Sequence, residues 1–153
     1  MHARANVSHR NGMYYNVDVT WGDAAITLMN TDGTLSTDID VNYEFFLVDD
    51  NELVGTHAPE PVVRMPHCNS MEDNYYNHEG VYFTQVDPDQ LQRAFESALA
   101  KGETHVFIKA ADADVFAALH EHLFDRQNVF EYLGRTNVRY VEFEERNLIM
   151  ISL

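Results

Sequence analysis

The sequence predicts an α+β (mixed α/β) fold in one domain, with N-terminal antiparallel strands followed by a β-α-β-α unit and a C-terminal β-hairpin. Three observations predict it. Residues 13–21 and 35–47 alternate apolar and polar with a period of two, a well-capped amphipathic helix pattern starts at Asp87, and the chain ends in an almost wholly apolar run. The length of 153 residues suits one core, and 45% hydrophobic residues supply the material for it.

The elements follow in order. Met13, Tyr15, Val17, Val19 and Trp21 share one face of a strand over 13–21, and Tyr14, Asn16, Asp18 and Thr20 share the other. Gly22-Asp23 is a turn, and 24–29 reads as a second strand. Asn30-Thr31-Asp32-Gly33 signals a hairpin, because Asp-Gly supplies the positive φ angles of tight turns. A third strand then carries Leu35, Thr37, Ile39, Val41, Tyr43, Phe45 and Leu47 inward, and Asp38, Asp40, Asn42 and Glu44 outward. Residues 49–52 end this sheet. Residues 55–80 show no sustained period and hold three of the four prolines, so they read as a long irregular loop.

Residues 81–153 carry the β-α-β-α unit and the hairpin. Residues 81–86 read as a strand. Asp87 caps the helix that follows, Pro88 suits its first turn, and Gln90 has capping-box spacing. Leu91, Ala94, Phe95, Ala98 and Leu99 form one apolar stripe, ended by Lys101-Gly102. Residues 104–109 give the next strand, parallel to the first through the crossover. A second helix spans about 112–124, and Val129, Phe130 and Leu133 before Gly134 extend it or form a short third helix. Strands over 138–143 and 148–153 close a hairpin, with the last strand inside the sheet and covered on both faces.

The stretch from Val86 to Phe143, chiefly Phe107-Ile-Lys-Ala-Ala-Asp-Ala-Asp114, resembles the strand–helix–strand–helix–strand domain of the small membrane proteins that couple proton flow to energy-dependent transport. The resemblance covers under half of the chain and implies a shared topology. Those proteins carry a membrane helix with a functional acid, which has no counterpart in these residues, so no activity is carried over.

Charge is the strongest functional signal. The net charge is −15, from 25 acidic and 10 basic residues. Phosphate backbones and anionic lipid need clustered Lys and Arg, so neither nucleic acid nor membrane is the expected partner. No Lys or Arg lies between Arg10 and Arg64, and ten carboxylates do, from Asp18 to Glu60. With Asp18, Asp38, Asp40 and Glu44 on one sheet face, the expected function is non-catalytic binding of a basic protein surface, as an inhibitor or nucleic-acid mimic. The alternative for this face is a charge that only keeps the protein in solution. A structural or assembly subunit, including a homo-oligomer, is a further reading.

Catalytic motifs are absent from the sequence. The seven glycines form no phosphate-binding loop, and there is no Gly-x-Ser-x-Gly elbow. His120 and His122 stand two apart on a helix, which points their rings about 200° apart and suits no metal. Asp38 and Asp40, with or without Asp18, could hold Mg²⁺, but no cation nearby would meet a phosphate. His67, Cys68 and His78 supply the ligand types of zinc or another transition metal, with Glu79 as a base and His57 in the same loop. This is the alternative of a small metal-dependent hydrolase, and otherwise no cofactor is expected. The single cysteine, Cys68, excludes an internal disulfide and suits a reducing compartment, so the cytoplasm of the producing or host cell is the expected location.

Overall fold

The computed structural model describes residues 6–22, 26–29, 35–39, 42–54, 56–57 and 64–153, with only the backbone for 22, 26–29 and 35–39. The chain falls into two compact units, Met1–Tyr75 and Tyr76–Leu153. Strands and helices are mixed in both, giving the α+β class expected of the sequence.

The first unit opens with a hairpin of β1 (Asn6–Arg10) and β2 (Met13–Val17). Asn11 and Gly12 join them with φ of 51° and 82°, the positive pair that a tight two-residue hairpin turn requires. The strand expected over 13–21 is shorter, because Asp18 turns the chain. Its Oδ1 accepts the backbone N–H of Thr20 at 2.7 Å and of Trp21 at 3.2 Å, and α1 (Val19–Gly22) follows. An aspartate that bonds the backbone just ahead of it favours a helical turn over a continued ladder.

Strands β3 (Ile26–Met29) and β4 (Leu35–Ile39) pair antiparallel from Met29 opposite Leu35, and the turn expected at Asp32-Gly33 lies outside the described residues. The third expected strand does not run on to Leu47. Phe46 N–H bonds Tyr43 C=O at 3.2 Å and Asn42 Oδ1 accepts Glu44 N–H at 3.0 Å, so residues 43–46 form a turn. Only β5 (Phe46–Val48) resumes the strand, and it joins the β1-β2-β5 sheet instead of β3-β4. Where β5 meets β2 the register shifts between Asn16 and Val17, and Leu47 sits at a φ of 57°. That register shift moves the alternation off its expected faces. The turn α2 (Asp50–Leu53) follows, capped by Asp49.

A short helix falls in the loop expected over 55–80, and the strand expected over 81–86 shortens to two residues, but from that strand onward the second unit keeps the expected order of elements. It comprises α3 (Tyr75–His78, entering from the first unit), β6 (Tyr82–Phe83), α4 (Pro88–Lys101), β7 (His105–Ala110), α5 (Ala113–His120), a π-helical segment (Glu121–Asp125), α6 (Val129–Leu133), β8 (Tyr140–Phe143) and β9 (Leu148–Ser152). The sheet order is β6-β7-β9-β8, with β6 parallel to β7 and the other pairs antiparallel. The apolar run 148–151 is fully buried in β9, as an inner strand covered on both faces should be.

In α4, Asp87 accepts Gln90 N–H at 2.9 Å, and Gly102 closes the helix at a φ of 69°. The Gln90 side chain does not complete a capping box. Its amide donates to Gly80 and Tyr82 C=O, which ties the helix start to β6. Leu91, Ala94, Phe95 and Ala98 are buried as the stripe predicts, whereas Leu99 lies at its rim, 44% exposed.

No helix among the described residues is long and apolar enough to cross a membrane.

Candidate functional site

The expected acidic array does not form at the two positions whose side chains are described. Asp18 and Glu44 are buried, at 3% and 4% exposure. Asp18 lies inward because the chain turns at its side chain, and Glu44 is buried together with Phe45 in the 43–46 turn. The side chain of Asp38 and the whole of Asp40 lie outside the described residues.

Asp18 is the buried anchor of a polar chain that ends at the surface. Its Oδ2 meets His57 Nε2 at 2.8 Å, and His57 Nδ1 meets Thr56 Oγ1 at 2.8 Å. Neither ring nor carboxylate reaches water to any extent, and Phe45 packs edge-on against the imidazole at 4.8 Å. Burial alone would raise the Asp18 carboxyl. The His57 bond and the N–H groups of Trp21 and Thr20 outweigh it, so the group titrates below the ordinary carboxylate range. Asp18 and His57 thus fix the start of α1 to the stretch after α2, and neither is placed to touch a ligand.

A second polar hub forms at Asp50. Its carboxylate accepts Asn16 Nδ2 at 2.9 Å and Cys68 N–H at 3.2 Å, while Asp50 N–H bonds Cys68 C=O at 2.8 Å. His67 Nδ1 stands 3.4 Å from the same carboxylate, with its ring in water. Burial opposes ionisation here too, but the bonds from Asn16, Cys68 N–H and His67 prevail and the carboxyl is lowered. Cys68 is buried, and its thiol is raised by burial first and then by the charges of Asp50 and Asp49. A thiol held protonated in this way is a poor nucleophile and a poor metal ligand. His78 is exposed and pairs with Glu79, whose carboxyl is lowered chiefly by its bond to Lys101. Among the described residues no three His, Cys, Asp or Glu side chains come together to hold a metal ion. His67, Cys68 and His78 therefore do not assemble the ligand set that their types suggested.

His120 and His122 diverge, as their spacing requires. His120 Nδ1 bonds Glu142 on β8, and its pKa is raised by that bond first and less by the charges of Asp125 and Glu144. His122 Nε2 meets Tyr132 OH at 2.9 Å, and burial lowers its pKa.

Sequence reasoning missed an aromatic group on the first unit. Tyr43 and Tyr75 stack at 4.0 Å with planes 11° apart, and Phe46 meets Tyr43 edge-on at 6.3 Å. Phe46 is 43% exposed. The period-two pattern placed Tyr43 in the core, and nothing local to it signals a partner at Tyr75.

No protein-family model matches this chain, and no curated protein matches it.

Proposed function

We propose that this chain is a non-catalytic acidic protein that binds a basic protein surface, acting as an inhibitor or nucleic-acid mimic in the cytoplasm of the producing or host cell. The charge distribution carries the reading. Residues 1–75 hold twelve carboxylates against three arginines, and 76–153 hold thirteen against seven basic residues. A field of one sign over one unit raises the encounter rate with an oppositely charged surface and rejects partners of like charge. Asp18 and Glu44 serve the fold in this reading. Docking falls to the exposed Glu72, to Asp49, Asp50 and Glu52 around α2, and to Asp38 and Asp40.

Recovery of the tagged chain from its native cell at low and moderate salt tests the reading. A basic protein should co-purify at about 50 mM salt and be lost near 300 mM, where the screening length has fallen to about two-fifths. Converting Asp38, Asp40 and Glu72 together to Asn, Asn and Gln should weaken its binding about tenfold, a loss of ~1.4 kcal/mol. A partner held equally well at both salt levels, and by the triple variant, would end the proposal.

A further inference from the structure

We propose that Tyr43, Phe46 and Tyr75 form a docking face for arginine side chains of the basic partner, an inference that rests on the charge-based reading above. The face is built by the turn at 43–46. A surface turn ordinarily exposes its central residues, but here Glu44 and Phe45 are buried while Phe46 is exposed and Tyr43 half-buried. Phe46 is held in that position from two sides. Leu47, next in the chain, takes a φ of 57°, which an L-residue with a branched side chain rarely adopts and which the surrounding structure must impose. Asn74, itself fully buried, donates its side-chain amide to Phe46 C=O at 2.9 Å. The outward ring is thus imposed by the fold, although burying it would have been favourable.

The chemistry around the rings selects the occupant. Tyr75 follows Glu72 and Asp73 in the chain, and the unit that holds the rings carries twelve carboxylates against three arginines. The chain already sets one guanidinium against one of these carboxylates, with Arg10 Nε 3.2 Å from Asp73 and the Arg10 side chain 60% exposed. A planar, weakly hydrated guanidinium can stack on a ring and bond a carboxylate at once, which the compact, hydrated ammonium of lysine does poorly. A second copy of this chain would bring like charge to the face, and a neutral apolar partner would leave the unit's excess negative charge without a counterpart.

The test compares fluorescent octa-arginine and octa-lysine peptides of equal charge, titrated against the full chain at about 50 and 200 mM salt. Octa-arginine should bind about fivefold more tightly than octa-lysine, the margin expected of one exposed cation–π contact. Phe46→Ala combined with Tyr43→Leu should abolish that preference and leave octa-lysine binding unchanged, with the circular dichroism of the wild type. Phe46→Trp should keep the preference, which separates loss of the ring from loss of the fold. Equal affinity for both peptides in the wild type, or a preference that survives the double substitution, would overturn the docking face while leaving the charge-based reading intact. Failure of both peptides to bind would overturn the two together.

Discussion

At the scale of single residues, burial decides between structural and functional roles for the carboxylates. Asp18 was legible as an acid on a strand, but its burial depends on His57, which arrives 39 positions later. Removing one partner of a buried pair leaves the other desolvated without compensation, at a cost of about 3 kcal/mol. Asp18→Ala should therefore lower the urea-unfolding free energy by about that amount, and Asp18→Asn by roughly 1 kcal/mol less, because Asn still accepts the N–H groups at the start of α1. The sign with pH follows from the lowered folded-state pKa. The contribution is whole above the ordinary value of 3.8 and is lost as pH falls through the lower, folded value. Unfolding curves of the wild type and of Asp18→Asn should converge on acidification below that ordinary value; parallel curves would mean that the carboxylate charge contributes nothing.

At the scale of elements, what was legible depended on whether the signals were local. The start and stop of α4 lie within a few residues of the helix, and Asp87, Pro88 and Gly102 act where their chemistry predicts. Asp87→Ala should cost about 1 kcal/mol through the lost cap. Gly102→Ala should cost about as much, because a side chain is strained at a φ of 69° even though nothing lies within 4 Å of an added Cβ. The helix is 14 residues long, which separates its ends by roughly 20 Å, so the two losses should add in denaturant melts. A non-additive pair would mean that the helix ends communicate. The strand pattern over 35–47 misled for the opposite reason. Its alternation holds as far as Phe45, yet an Asx-type bond at Asn42 and the turn at 43–46 divide it between two sheets. The strand β1 was overlooked although Asn11-Gly12 advertises its hairpin.

At the scale of the whole molecule, the charge imbalance acts on stability as well as on partners. With a net charge of −15, self-repulsion opposes the compact state. Raising NaCl from about 0.05 to 0.5 M should lift the melting temperature by a few degrees through screening, before any partner is added. A melting temperature that falls would show that favourable ion pairs outweigh the repulsion. The sequence by itself determined the fold class, the caps of α4, the buried final strand and the sign and placement of charge, because each depends on residue type at short range. Only the tertiary structure decided that Asp18 and Glu44 turn inward, that Cys68 is sealed beside Asp50, and that Tyr43 meets Tyr75. Those outcomes depend on groups tens of residues apart, and a period of two says which side of a strand a residue takes but not whether water reaches it.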